Sequence, residues 1–151
     1  MTLAPATPDL HEEVDRFLHG LWRFNRALTQ RLEPLLETKH GIDPKTYIIL
    51  KSIDSGHHYP KVLADHLKIP STLISRYLDG LVKQGLLERH IDEHDSRRIR
   101  LTLTEHGTNV MHDSEETIHV LTRSHLAKLE PGVLAGLLKA LDSLNDQGPD
   151  A

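Results

Sequence analysis

The sequence predicts a mainly helical protein with one small β-hairpin, which is an α+β fold. Apolar residues recur at spacings of three and four along most of the chain, a pattern typical of amphipathic helices. Residues 99–104 instead alternate apolar and polar side chains, as a half-buried strand does. The core is expected to be aliphatic, because leucine is abundant and aromatic residues make up only 4% of the 151 residues.

Composition excludes several classes of function. The chain has no cysteine, so disulfides, thiolate metal sites and thiol-based sensing are excluded. The longest apolar run, residues 47–50, is far shorter than the roughly 20 residues that span a bilayer. The N-terminus lacks the basic start and apolar stretch of a secretory signal. A cytoplasmic protein without membrane contact is therefore expected.

Charge is distributed unevenly along the chain. The formal net charge is −4, but residues 61–104 contain eight Lys or Arg and six Asp or Glu. Residues 105–151 contain three Lys or Arg and eight Asp or Glu. The middle of the chain is thus the positive part of an acidic protein, and a local basic face remains compatible with the net charge.

The first 60 residues predict two helices. The apolar stripe of the first contains Val14, Phe17, Leu18, Leu21, Trp22, Leu28, Leu32 and Leu35. Pro34 is expected to kink this helix or end its regular part, and Gly41 to stop it. Asp43 and Pro44 form a good N-cap and first-turn pair, so a second helix begins there and ends at residues 54–56.

Two more helices are predicted after residue 104. One runs from about residue 104 to 129, and the other begins near Pro131. The apolar stripe of the last helix is dense: Val133, Leu134, Leu137, Leu138, Leu141 and Leu144. The first and last helices are too apolar to stand alone, so they pack either on the middle of the chain or on a second copy.

The middle of the chain predicts a helix-turn-helix. A short helix over residues 59–67 turns Val62, Leu63 and Leu67 inward, and residues 68–70 connect it to a helix that starts at Ser71 as N-cap and stops at Gly85. The outward face of the second helix carries Ser71, Thr72, Ser75, Arg76, Asp79 and Lys83. Short hydroxyls permit close approach to DNA, and arginine pairs with guanine. A merely solvated face is the alternative.

A β-wing follows directly. Residues 86–91 and 99–104 have strand character, and residues 92–98 between them are polar. Arg97 and Arg98 at the tip are suited to a narrow minor groove, where the negative potential is enhanced. Asp95 is expected to hold Arg97 in position. A cation site at residues 92–95 is disfavoured, because their spacing matches no known loop motif.

Residues 59–107 resemble the winged helix-turn-helix core of the MarR family of bacterial transcription regulators. The family's wing signature, Asp-x-Arg, five residues and then Leu-Thr, stands here as Asp95, Arg97, Leu103 and Thr104, followed by residues 105–107. The hydroxyl-rich start of the second helix also matches. The flanking helices match in order and length, so the resemblance covers nearly the whole chain.

The resemblance implies a homodimeric regulator, more often a repressor than an activator, on a pseudo-palindromic operator. Its domains would be an N-terminal dimerisation helix (1–36), a winged helix-turn-helix (43–104) and C-terminal dimerisation helices (105–147), with both ends intertwined in the dimer. Major-groove contacts would come from Ser71, Thr72, Ser75 and Arg76. Arg97 would enter the minor groove with Asp95 as its partner. Lys83 and Arg98 are expected to contact phosphate from their charge and position.

Two signals are possible at this stage, besides control by protein level without any ligand. Many members of the family respond to a small aromatic or phenolic ligand, for which Trp22, Arg23 and Arg26 are candidates; the alternative is that Trp22 is a core residue. A zinc-responsive regulator is the other possibility, since His112, Glu116 and His119 lie at i, i+4 and i+7 on one helix face. A solvated face is the simpler explanation, and no resident cofactor is expected.

Other classes of function fit less well. An enzyme is not expected, because hydroxyls on a helix face are poor nucleophiles without an oriented base and an oxyanion site. A winged-helix module for protein–protein contacts is the stronger rival. Such a module would present apolar or acidic residues on the outward face of the second helix, where this chain has hydroxyls and an arginine.

Overall fold

The computed structural model describes residues 10–145, which divide into two compact units at residues 44 and 45. Within these residues the chain forms six helices and one two-stranded antiparallel sheet. The helices are α1 (His11–His40), α2 (Pro44–Asp54), α3 (Pro60–Leu67), α4 (Ser71–Lys83), α5 (Glu105–Leu126) and α6 (Pro131–Asn145). The strands are β1 (Leu87–Ile91) and β2 (Ile99–Leu103). This mainly helical fold with a small sheet confirms the predicted fold class.

The first unit consists of the single long helix α1. Of the two effects predicted for Pro34, an end of the helix is wrong, because the helix continues six residues beyond it to His40. Gly41 ends the helix as predicted: it adopts a left-handed conformation with φ of 68°, and its N–H donates to the carbonyl of Glu37. Glycine takes this conformation without the steric cost that a Cβ brings. Pro5 and Pro8 predict a short lead-in of about eight residues, and that segment lies outside the described residues.

The second unit has an aliphatic core that joins helices and sheet. Fully buried side chains come from four helices and both strands: Ile49, Leu50, Ile53, Leu63, Ile74, Leu78, Leu81, Leu87, Leu101 and Met111. The hairpin register pairs Leu87 with Leu103 at the base of the hairpin and Ile91 with Ile99 next to its tip, so apolar residues face each other across the strands at both ends. The hairpin packs through β1 on α4 and through β2 on α3 and α5.

Several local predictions need correction. The N-cap of α4 is Pro70, and Ser71 is the first helical residue. Val62 is 42% exposed rather than turned inward, whereas Ala64 is buried in α3. The fifth helix ends at Leu126 rather than near residue 129. Helix boundaries shift by one to three residues because several terminal geometries satisfy the same backbone groups.

The apolar stripes of the first and last helices are exposed in the single chain. In α6, Val133, Leu137, Leu138, Leu141 and Leu144 are 40–67% exposed. In α1, Trp22 is 56% exposed. The alternative interpretation, in which Trp22 is a core residue, is therefore wrong for the single chain. None of the helices within residues 10–145 has the length and apolar character that a membrane crossing needs.

Candidate nucleic-acid interface

The outward face of α4 is polar and open to solvent. Ser71, Thr72, Ser75, Arg76 and Lys83 are all exposed, as their sequence spacing predicted. The opposite face fixes the orientation of the helix, because Ile74, Leu78 and Leu81 are each 1% exposed. The N-cap of α4 is a proline without a side-chain hydrogen bond, so no side chain of the N-cap occupies the positive end of the helix dipole. The first turn therefore presents hydroxyls and backbone N–H groups at one end of an exposed helix.

An ion pair that sequence reasoning missed links α4 to the hairpin. An Nη atom of Arg89 in β1 donates to Oδ1 of Asp79 in α4 at 2.7 Å. The contact neutralises the only carboxylate on the outward face of α4. Its signal is absent from the sequence, because the two residues are ten apart and meet only when β1 packs on α4. The pair itself carries no net charge, so Arg76 and Lys83 give this face its positive charge.

The hairpin tip holds the predicted pair. Oδ1 of Asp95 accepts from the backbone N–H of Arg97 at 3.0 Å and from its Nε at 3.2 Å. These contacts organise the turn, in which the N–H of Arg98 also donates to the carbonyl of Asp95. The Arg97 side chain itself is 90% exposed. One carboxylate therefore orients a guanidinium that remains free to meet another surface.

Arg98 does not extend freely from the tip. Its guanidinium stacks on the ring of Tyr59, with its carbon 3.7 Å from the ring centroid. The Tyr59 hydroxyl donates to Oδ1 of Asp92 at 3.1 Å. Two carboxylates in the polar stretch 92–95 therefore already have partners, because Asp92 accepts from Tyr59 and Asp95 accepts from Arg97. No group of three metal-ligating side chains that could hold an ion is found between residues 10 and 145.

The candidate zinc residues do not form a site. His112, Glu116 and His119 lie on α5, but they are not part of any described cluster that could hold a metal. Nδ1 of His112 instead lies 3.8 Å from Oε2 of Glu115. The zinc-responsive alternative therefore gains no support from the arrangement of these side chains.

Glu115 has a different role, since it connects α5 to α2. Its Oε1 accepts from Nζ of Lys51 at 2.6 Å and from the Tyr47 hydroxyl at 3.3 Å. The hydrogen bond from Lys51 lowers the pKa of Glu115 below its usual value of 4.5 and raises the pKa of Lys51. Partial burial, followed by the Glu115 charge, raises the pKa of Tyr47. These contacts fasten α2, which precedes the helix-turn-helix, to α5.

The two histidines after α2 lie in a loop that contacts neighbouring elements. His57 and His58 are both half-buried. The His57 ring stacks on His66 with centroids 3.8 Å apart, and its Nδ1 lies 3.0 Å from the carbonyl of Ser52. The carbonyl of His58 accepts from the N–H of Leu101 in β2 at 2.7 Å. The loop before α3 is therefore bound to the hairpin.

The ligand candidates all lie on α1. The guanidinium carbon of Arg26 is 5.2 Å from the centroid of the Trp22 ring, within cation–π range. Arg23 is exposed on the same helix. The arrangement presents an indole and two arginines on one exposed stretch of helix.

Comparison with known proteins agrees with this geometry. Residues 40–98 match the model of the MarR family. No protein with a curated description matches the sequence. Among solved structures, the chain is 21% identical to the transcriptional regulator BldR from Sulfolobus solfataricus, covering 91% of this chain and 99% of that one with a TM-score of 0.73. The reduced form of MarR from E. coli is 25% identical, with 83% and 96% covered and a TM-score of 0.70.

A further match is a mutant E. coli MarR complexed with operator DNA, 22% identical, with 92% and 99% covered and a TM-score of 0.67. Proteins of the MarR family are in general not enzymes. The family match spans the helix-turn-helix and the wing tip, and the structural matches extend over most of the chain. The comparisons therefore support a MarR-family winged helix-turn-helix regulator, because residues 40–98 match the family model and the fold of most of the chain matches that of MarR from E. coli.

Proposed function

We propose that the protein is a cytoplasmic homodimeric repressor that binds a pseudo-palindromic operator in double-stranded DNA. The observation that carries this proposal is the pairing of two surfaces: the exposed hydroxyl and arginine face of α4, and the exposed Arg97 that Asp95 holds at the wing tip. Ser71, Thr72, Ser75 and Arg76 would read the major groove. Arg97 would enter the flanking minor groove, and Lys83 and Arg98 would contact phosphates.

The proposal for α4 follows from its chemistry and its end. Serine and threonine hydroxyls bond phosphates or base edges, and the arginine fork matches O6 and N7 of guanine. The positive end of the helix dipole favours an approaching phosphate. The neighbouring Asp79 carboxylate is neutralised by Arg89, so it opposes that approach less than a free carboxylate would.

Selection of bound fragments from the source genome tests the proposal, followed by titration of the best fragment at increasing salt. Phosphate contacts release counterions, so log K should fall linearly with log salt at about 0.9 per contact. Failure to retain any fragment at low salt would overturn the DNA-binding proposal and favour a protein–protein module. An in vitro transcription assay with the selected operator then distinguishes repression, the expected result, from activation.

The dimer is supported by the exposed apolar stripes. α6 contains no buried residue, although its apolar side chains recur at helical spacing. Soluble monomers rarely expose contiguous apolar patches of that extent, which usually mark an interface. A two-fold dimer would place its two copies of α4, the recognition helices, one DNA turn apart, at about 34–36 Å.

A charge substitution on α6 tests the dimer. Leu138→Glu should convert the dimer to monomer in sedimentation at micromolar concentration, because a carboxylate would be buried in an apolar interface. Lys139→Glu, which alters the next exposed residue outside the apolar stripe, should leave the dimer intact. A Leu138→Glu protein that sediments as the wild type does would remove the proposed role of α6.

We further propose a small aromatic or phenolic effector. The exposed Trp22 indole with the Arg26 guanidinium beside it suits an aromatic anion, and Arg23 adds a second positive charge. Trp22 is the single tryptophan, so its fluorescence reports on that position. Benzoate or phenol should quench it saturably and weaken operator binding. Unchanged fluorescence and DNA affinity at millimolar concentration would contradict an effector of this class at α1.

A further inference from the structure

The wing needs an anchor beyond its own two strands. A hairpin of two five-residue strands is marginally stable in isolation, so its position depends on what holds it to the body of the protein. One attachment is the hydrogen bond from Leu101 in β2 to the His58 carbonyl. That bond fixes the middle of β2. It leaves the tip, which carries Asp95 and Arg97, to be positioned by other contacts.

Tyr59 supplies those contacts. It is the N-cap of α3 in an extended conformation, so its backbone belongs to the helix-turn-helix. Its hydroxyl donates to Asp92, where the tip begins, and its ring supports Arg98, where the tip ends. The N–H of Asp92 donates to the carbonyl of Arg98 at 3.0 Å, which closes the loop between them.

The burial of Asp92 makes its hydrogen bond with Tyr59 important. The residue is only 8% exposed, whereas Glu93 and His94 beside it are exposed. A buried carboxylate is costly unless hydrogen-bonded, and a bond to a charged group is among the stronger ones. The Tyr59 hydroxyl therefore holds Asp92 at a defined place. Tyr59, the N-cap of the first helix of the helix-turn-helix, thus contacts both ends of the seven-residue tip.

We infer that Tyr59 is a positioning residue for DNA binding, which sets the place of the wing tip relative to the recognition helix and orients Arg98. This inference rests on the proposed operator binding. Stacking uses the face of the Arg98 guanidinium and leaves the N–H donors at its edge directed outward. Arg98 is therefore a restrained phosphate donor, and Arg97 enters the minor groove only while the tip keeps its place.

A double-mutant cycle tests the inference on the full-length protein and its selected operator. Arg97→Ala should weaken binding about ten-fold in the wild-type background, within the range of specific arginine contacts. In a Tyr59→Leu background the same change should cost about three-fold or less, because a displaced tip no longer places Arg97 in the groove. Tyr59→Phe keeps the ring beneath Arg98 and should give an intermediate result.

Footprinting distinguishes positioning from general destabilisation. Tyr59→Leu should lose hydroxyl-radical protection in the flanking minor grooves while keeping protection of guanine N7 in the major groove. A protein that is merely less stable would lose both protections in parallel. Tyr47→Phe is the matched control, because it removes another tyrosine-to-carboxylate hydrogen bond, to Glu115, away from the wing. It should leave both protections and the cost of Arg97→Ala unchanged.

The outcomes separate the two proposals. If the wild type binds no DNA, operator binding and the role of Tyr59 both fail. If the wild type binds and Arg97→Ala costs the same with and without Tyr59, only the inference about Tyr59 is overturned. Loss of major- and minor-groove protection in parallel would also overturn it.

Discussion

Gly107→Ala should destabilise the protein although it places a better helix former inside α5. Gly107 lies in the first turn of α5, directly after the wing, where Thr104 caps the helix by accepting from the Gly107 N–H at 2.9 Å. A Cβ at this position would lie 2.0 Å from the Leu86 carbonyl oxygen and 2.9 Å from its carbonyl carbon. Ordinary carbon–oxygen contacts are about 3.3 Å or longer. The main chain would therefore have to move by about 1 Å.

Such a movement affects several contacts at once. The same Leu86 carbonyl accepts from the Thr104 N–H at 3.1 Å, and the Thr104 hydroxyl donates to the carbonyl of Gly85 at 2.6 Å. Overpacking costs typically about 1–3 kcal/mol, and a lost hydrogen bond about 1 kcal/mol. The helix propensity of alanine returns about 1 kcal/mol. The net expectation is a loss of about 2 kcal/mol, or a fall in Tm of roughly 4–8 °C for a chain of this size.

Urea unfolding followed by circular dichroism measures this effect, with all variants at one protomer concentration because dimer stability depends on it. Gly80→Ala is the matched control. Gly80 also lies inside a helix, but an added Cβ meets no atom within 4 Å, so the variant should be as stable as the wild type or up to about 1 kcal/mol more stable. Equal gains in stability at both positions would show that α5 and Leu86 do not approach as closely as described.

Three further substitutions test other contacts. Arg97→Ala should reduce the slope of log K against log salt while leaving the dimer intact, and operator binding equal to that of the wild type would refute the wing assignment. Asp79→Asn frees Arg89 and adds a positive charge to the α4 face, so random DNA should be bound about two- to five-fold tighter at low salt; weaker binding would contradict the electrostatic role of the pair. The lowered pKa of Glu115 implies stability that is present above its usual value of 4.5 and lost as the pH falls through its folded pKa. Glu115→Gln should therefore be less stable than the wild type at pH 7, with the difference shrinking towards pH 3, and a difference that stays constant with pH would refute the pairing with Lys51.

Features set by local periodicity were predictable from the sequence. The recognition face of α4 follows from the helical spacing of its apolar residues, and the hairpin follows from alternation over five residues. The Asp95–Arg97 contact was also predictable, because only one residue separates its partners and a tight turn brings them together. The family resemblance agreed with these local patterns.

Contacts between distant elements were not predictable. Tyr59 and Asp92 are 33 residues apart, and Lys51 and Glu115 are 64 apart, so only the packed fold brings them together. Arg98 was expected to extend towards phosphate from its charge and position, and nothing local indicates the aromatic ring beneath it. The exposure of Trp22 was also not predictable, because an apolar stripe has the same sequence pattern whether its own chain or another chain covers it.

The proposed dimer reads DNA with two recognition helices and two wings. Hydroxyl-radical and guanine-methylation footprints on a fragment selected from the source genome test this arrangement most directly. Such a dimer should give two major-groove contacts about one helical turn apart, related by a dyad and flanked by protected minor grooves. One isolated half-site, or protection without any dyad, would contradict it.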